Sequence, residues 1–291
     1  MAEFHKIPPR RTPFYWCVVV LVVVLFLLSV TAALHYGFAN DRLDLTFYQY
    51  QVKSDKVVSN LRIVQLSDLH CASFGDDNAD LVAEVNRLSP DLIAITGDMI
   101  LRQQPTNTQG VLDLCRQLVE IAPVYYGLGN HEYAVLLSTD STLTDDLTAL
   151  GVHVVNLDYE IVTIGENTVA IGGMALMPDL VPTYAEDFLT RMSGEDCFKI
   201  LLSHYPDVFE SAMDDYSLDL ALCGHVHGGV IRLPGLGPLY ESNQGFFPTW
   251  AEGQHDVNGC NVIISRGLGQ SNWVPRFNNP PELVVVDIDC Y

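Results

Sequence analysis

The first apolar run along the chain is unbroken. Residues 14–34 read FYWCVVVLVVVLFLLSVTAAL without a charge, and roughly 20 apolar residues match the hydrocarbon core of a bilayer. The pattern predicts a helix, because backbone placed in lipid satisfies its own hydrogen bonds there only as a helix. Beyond it the runs shorten. Leu43, Leu45 and Phe47 alternate with polar neighbours, then the phase slips to Tyr48, Tyr50 and Val52, which predicts a first strand with a bulge at the slip. A repeated unit follows, in which an apolar strand stops and a polar cluster begins. Residues 61–66 run into Ser67-Asp68-Leu69-His70, 92–96 into Gly97-Asp98, and 124–128 into Gly129-Asn130-His131-Glu132. Later, 198–202 meet Ser203-His204, and 218–223 meet Gly224-His225-Val226-His227-Gly228-Gly229. Between the early strands, Leu81, Val82, Val85 and Leu88 share one helical face, and Val111, Leu112, Cys115 and Leu118 another. Residues 161–164 and 168–171 form a hairpin around Gly165-Glu166-Asn167, while 262–265 and 283–288 add late strands. Strand and helix in this rhythm predict one α/β domain with a largely parallel central sheet and a β-rich second half. The expected organisation is a short N-terminus (1–13), a membrane-spanning helix (14–36) and a single domain (37–291).

Charge narrows the partners. The chain carries a formal −21; its first 40 residues hold Glu3 against Lys6, Arg10 and Arg11, a net +2, which leaves −23 on the rest. So acidic a body is repelled by phosphate backbones, so no nucleic acid duplex is expected as a partner. A small phosphorylated substrate stays compatible, because bound divalent cations reverse the local sign. The basic residues precede the apolar run, whereas Asp41, Arg42 and Asp44 follow it. That asymmetry predicts a single-pass cell-membrane protein with its N-terminus inside and its domain outside the cytoplasm. Tyr15 and Trp16 suit an interfacial belt or simply belong to the span. Two alternatives remain: a cleaved signal peptide ending near Thr31-Ala32-Ala33, and a twin-arginine signal at Arg10-Arg11. None of the seven cysteines forms a C-x-x-C pair, so they read as buried structural thiols, with a disulfide outside the cytoplasm as the alternative.

The polar clusters carry the chemistry. Functional groups of an open α/β sheet gather beyond the carboxyl ends of strands, which is where all five clusters begin. Together they supply two aspartates, one asparagine amide and five of the nine histidines. One such residue alone is usually a turn, a cap or a surface side chain; five clusters in register point to a metal site. Carboxylate, imidazole and amide together suit Mn, Fe, Zn or Co rather than Ca or a thiolate-selected metal. Asp68 and His70 can face one ion as their strand breaks into a loop, His225 and His227 can serve different ions, and Asp98 is the natural shared ligand because a carboxylate can bridge.

Asp68-x-His70, Gly97-Asp98, Gly129-Asn130-His131-Glu132, Ser203-His204 and Gly224-His225-x-His227 resemble the full motif series of the calcineurin-like metallophosphoesterases over about residues 45–291. Residues 228–234, 265–269 and 279–282 look like the bacterial, membrane-attached phosphohydrolase branch. The resemblance implies a four-layer α/β/β/α sandwich of two sheets flanked by helices. It implies one metal on Asp68, His70, Asp98 and His227, and a second on Asp98, Asn130, His204 and His225. His131 would face the substrate phosphate, and Glu132 would orient the ligands rather than join them. Hydrolysis is expected through a hydroxide bridging two metals about 3.5–4 Å apart and attacking phosphorus in line. A scaffold that keeps the fold without catalysis is the competing class, but degenerate relatives lose ligands and none is missing here.

The expected substrate is a small phosphorylated molecule, or a lipid-linked phosphate such as an acylated UDP-glucosamine pyrophosphate. Phe246, Phe247, Trp250 and Trp273 are candidates for an apolar entrance, or are ordinary core and loop aromatics. Two places depart from the related pattern: residues 172–179 are apolar where relatives often place paired aspartates, and Val230 replaces a common glutamine. His153 and His255 fit no motif and read as surface residues. Cys71, beside His70, reads as a packing residue near the site.

Overall fold

The computed structural model describes residues 13–39, 45–241, 244–270 and 275–290. In chain order, the first half contains α1 (Pro13–Ala39), β1 (Thr46–Ser54), β2 (Leu61–Leu66), α2 (Ala79–Leu88), β3 (Leu92–Ile95), α3 (Gln109–Leu118), β4 (Val124–Gly127), α4 (Asn130–Ser138), α5 (Leu143–Ala149) and β5 (His153–Val155). The second half continues with β6 (Asp158–Ile164), β7 (Asn167–Met174), α6 (Val181–Tyr184), α7 (Glu186–Ser193), β8 (Phe198–Ser203), α8 (Val208–Ser211) and β9 (Leu220–Cys223). Two short ribbons, β10 (Arg232–Leu233) with β11 (Gly237–Pro238) and β12 (Tyr240–Glu241) with β13 (Gly245–Phe246), precede β14 (Gly253–Val257), β15 (Cys260–Ile264) and β16 (Glu282–Cys290).

The strands form two six-stranded sheets, β1-β16-β2-β3-β4-β5 and β14-β15-β9-β8-β7-β6, rather than the one central sheet expected from the strand rhythm. Each has a parallel centre, β2 to β5 in the first and β7, β8, β9 and β15 in the second. Apolar runs buried on both faces, such as β3 and β9, look the same in either sheet. Local patterning therefore marks a strand without marking its partners, and the β6–β7 hairpin is where the chain opens the second sheet.

The expected bulge is absent from β1, which pairs with β16 residue for residue from Thr46 to Ser54. The phase slip reflects two covered faces instead. Leu45 packs on the cluster beside α2 and α3, while Tyr50 and Val52 join the cluster between the sheets. That middle cluster combines Ile63, Leu92, Tyr125 and Val286 of one sheet with Ile171, Ile200, Leu222 and Ile263 of the other. The outer clusters pack α2, α3, α4 and α5 on the first sheet and Phe188, Leu189, Met192 and Phe209 on the second. The helices thus lie outside a face-to-face pair of sheets.

α1 contains a 22-residue stretch of mean hydropathy 3.1, Phe14–His35, none of it buried. It is long and apolar enough to cross a membrane, properties that a signal sequence shares. Lys6, Arg10, Arg11, Asp41, Arg42 and Asp44, which set the expected orientation, lie outside the described residues, as does Trp273.

Candidate functional site

The carboxyl ends of β2, β3 and β4 in one sheet, and of β8 and β9 in the other, deliver all five polar clusters to one place. The loops that do so are bent hard. Asp68 (φ 53°), His70 (φ 48°), Asp98 (φ 54°), His225 (φ 73°) and His227 (φ 50°) all take left-handed backbone, which costs a non-glycine residue of order 1–3 kcal/mol. Backbone hydrogen bonds hold them there: Asp68 N–H donates to Gly97 O at 2.9 Å, His70 N–H to Asp98 O at 3.0 Å, and Gly269 N–H to Asp68 O at 2.7 Å. Gly97 is required for this packing, since at φ 86° a Cβ would lie 2.3 Å from the Gly129 nitrogen. A Gly97→Ala variant is expected to lose about 2–4 kcal/mol of unfolding free energy in a urea titration, the strain of left-handed backbone adding to a clash with backbone that cannot yield.

The seven residues expected as ligands come together in two groups. In the first, His70 Nε2 lies 3.2 Å from His227 Nε2 and 3.8 Å from Asp68 Oδ1, which is 3.6 Å from His227 Nε2. In the second, His204 Nε2 lies 3.1 Å from Asn130 Oδ1, 3.3 Å from His225 Nδ1 and 3.4 Å from Asp98 Oδ2. One oxygen faces both groups: Asp98 Oδ2 is also 3.9 Å from His70 Nε2. Its partner, Oδ1, accepts the His131 N–H at 2.7 Å, so the carboxylate spans the groups through a single atom. Asp68 Oδ2 takes the Ser67 hydroxyl at 2.5 Å, and the His225 N–H is shared between Oδ2 at 3.1 Å and Oδ1 at 3.2 Å.

The hydrogen-bond chemistry leaves room for a cation. His204 Nδ1 lies 2.8 Å from Thr96 O and His70 Nδ1 3.3 Å from Ile100 O. A carbonyl accepts only, so each Nδ1 carries the proton and each Nε2 presents a lone pair. Those two lone pairs meet carboxylate and amide oxygens in a buried space, so acceptors crowd one another there. Either protons or metal ions must fill it. With protons alone, burial disfavours charge on His204, but Asp98 and Asp68 outweigh that and push it up to about 10. Burial raises Asp68 to about 6, against the pull of His204. Burial also presses Asp98 upward, but His204, His70 and His131 together hold it ionised below the usual carboxylate range. His225 is lowered to about 3, first by burial and then by His204, so it stays neutral. Two carboxylates, four imidazoles and an amide fit a pair of divalent ions of the Mn, Fe or Zn kind.

Glu132 is not in this space. Fully buried, it accepts Asp98 N–H (2.7 Å) and Gly129 N–H (2.9 Å) on Oε2, and Met99 N–H (2.9 Å), Ile100 N–H (3.3 Å) and the Tyr126 hydroxyl (2.9 Å) on Oε1. It ties the Asp98 loop to the start of α4. The helix opens at Asn130, so His131 and Glu132 sit in its first turn. His131 Nδ1 accepts the Arg102 N–H at 3.0 Å, which leaves the ring proton on Nε2, 3.9 Å from Asp98 Oδ2.

Asp98, Asn130, His131, His225 and His227 line a cavity of about 320 Å³ together with Arg102, Val230, Tyr240 and Glu241. The last four carry no signal in the strand-end pattern. Arg276 was equally hidden: buried under backbone carbonyls of Arg266, Gly267 and Gly269, it reaches to 3.5 Å from His227 Nδ1. His227 is held well below the usual imidazole range by burial, then by His70 and Arg276, which keeps it neutral. Of the aromatics, Trp250 belongs to the core around α7, stacked at 4.6 Å on the half-buried His255, which is therefore a packing partner rather than a surface histidine. His153 is half-exposed, stacked on Tyr125 and paired with Glu160. Cys71 is half-buried, its thiol 3.7 Å from Asn107 O, and all the cysteines are free.

Comparison with known proteins matches residues 61–229 to the calcineurin-like phosphoesterase family. An uncharacterized metallophosphoesterase of Aquifex aeolicus is 30% identical over 254 residues, 82% of this chain and 90% of its own length. The uncharacterized metallophosphoesterase YkuE of Bacillus subtilis is 29% identical over 270 residues, 88% of this chain and 91% of its own. The phosphodiesterase YaeI of Escherichia coli is 29% identical over 239 residues, 78% and 82% of the two chains.

Proposed function

Since the chain belongs to the calcineurin-like phosphoesterase family and is a metal-dependent phosphoester hydrolase, we propose that Asp68, His70, Asp98 and His227 hold one divalent ion and Asp98, Asn130, His204 and His225 a second. The observation that carries this reading is the convergence of buried acceptors, with Asp98 Oδ2 between His70 Nε2 and His204 Nε2 at 3.9 and 3.4 Å. When bound, such a pair supplies Lewis-acid charge at the phosphoryl oxygens and an activated water for in-line attack. The chain's own groups do the rest. Glu132 and the backbone hydrogen bonds fix the two carboxylates before substrate arrives, so no reorganisation is spent during reaction. His131, with its proton on Nε2 and its ring at the cavity wall, donates toward the leaving oxygen. Arg102, which lines the cavity, offers a guanidinium to the phosphate.

Two variants separate these roles. His131→Asn is expected to lower kcat on bis(4-nitrophenyl) phosphate by about 100-fold while metal content by elemental analysis is unchanged; a matching loss of metal would make His131 a ligand instead. Arg102→Ala is expected to raise KM about tenfold and change kcat by less than about threefold, the pattern of lost uniform binding.

The substrate of this reading is a small phosphodiester or monoester, in keeping with the relative named a phosphodiesterase and with the cavity volume of about 320 Å³. We keep residues 14–36 as a membrane tether, which the unburied apolar helix α1 supports, and place the catalytic domain outside the cytoplasm from the flanking charges in the sequence. Alkaline extraction of membranes tests the tether: the chain stays in the pellet at full length if it is retained, and is released or shortened if it is not.

A further inference from the structure

Residues 233–251 contain one charged side chain, Glu241, in a protein of which 18% is charged, and Glu241 is buried at 6% exposure. Apolar groups stand out in its place. Leu236 is 68% exposed, Phe246 71%, Phe247 56% and Tyr240 48%. Single exposed apolar residues are ordinary; a contiguous group without charge is not. Tyr240 and Phe246 pair across the β12–β13 ribbon with ring centroids 5.3 Å apart, and Phe247 follows at φ 56°. Leu236 tips the neighbouring β10–β11 turn, between Pro234-Gly235 and Gly237-Pro238. This rim borders the catalytic cavity, since Tyr240 and Glu241 also line that cavity.

The topology says what the rim faces. The site lies at the carboxyl end of β2; β16 runs antiparallel to β2, and β1 runs parallel to β16. The amino end of β1 is therefore at the site's end of the sheet, where Thr46 N–H donates to Pro281 O at 3.0 Å and Glu282 holds Arg266 at 2.8 Å. That is where the chain arrives from α1, and the stretch from Ala39 to Thr46 reaches at most about 25 Å. The tether enters the domain at the same end of the sheet as the catalytic cavity.

We propose that this rim docks on a bilayer surface, placing Leu236, Phe246 and Phe247 among the lipids and turning the catalytic mouth toward the headgroups. The inference rests on the reading of α1 as a retained tether. The rim holds no exposed cation among the described residues, and the body is strongly acidic. Docking is thus by apolar insertion into a zwitterionic surface, not by attraction to anionic lipid.

The test uses the full-length chain in phosphatidylcholine vesicles, with photoreactive benzoylphenylalanine replacing Phe246, Leu21 of α1, or Glu166, which sits in the β6–β7 turn at the far end of the sheet. Lipid adducts at 246 about tenfold above those at 166 are expected, alongside adducts at 21. Adducts at 21 but not at 246 overturn the docking and leave the tether standing. Adducts at 246 but not at 21 support the docking and overturn the tether. Cross-links from 246 to a second copy of the chain, in place of lipid, overturn the docking in favour of a self-contact.

Discussion

Replacing Asp98 with Asn is expected to lower kcat on bis(4-nitrophenyl) phosphate by about a thousandfold or more and to reduce bound metal below two ions per chain. The effect is large because one atom does two things. Asp98 Oδ2 lies 3.4 Å from His204 Nε2 and 3.9 Å from His70 Nε2, whereas Oδ1 is taken by the His131 N–H at 2.7 Å. Asn keeps an oxygen for His131 but turns an NH₂ toward the ligand space, where a donor meets cations. The side-chain volume barely changes, so circular dichroism and the urea midpoint report whether the fold survives. Wild-type turnover in a folded Asp98→Asn protein would remove the shared-ligand role.

Glu132→Gln is expected to cost about 3–5 kcal/mol of unfolding free energy, because at least two hydrogen bonds to a buried carboxylate are lost at about 1.5–3 kcal/mol each. Both of its oxygens are committed, Oε2 to two backbone N–H groups and Oε1 to two more and the Tyr126 hydroxyl. Whichever way the amide turns, its NH₂ confronts at least two donors. No cavity opens, because the shapes match, so the loss measures the electrostatics alone. The Asp98 loop and the Gly129–Asn130 turn share this carboxylate, and metal affinity is expected to fall together with stability. A Gln variant that unfolds at the wild-type urea concentration would show that backbone hydrogen bonds alone hold the loops.

What the sequence made legible was local. Each cluster follows an apolar strand within a residue or two, so Asp68, His70, Asp98, Asn130, His131, His204, His225 and His227 could be named from strand ends alone. Glu132 could be placed beside them, but its five partners could not, since they depend on how β3's loop folds over the start of α4. Arg276 meets His227 across 49 residues of chain, and Tyr240 and Glu241 reach the cavity on ribbons of two residues each. Contacts of that kind leave no periodicity to read. The sheets were hidden for a related reason: β3 and β9 are both buried on two faces, and nothing within either run states its neighbour. At β1, a slip of apolar phase had two physical causes, a bulge or a change of covered face, and the unbroken register with β16 selects the second.

The direct test of the two-metal site is titration of the chelator-treated, full-length protein with Mn²⁺, following turnover of bis(4-nitrophenyl) phosphate and bound metal in the same samples. Two-metal chemistry predicts no turnover without metal and recovery only as the second ion per chain binds. Full turnover with one ion bound, or undiminished turnover after metal removal, would contradict it.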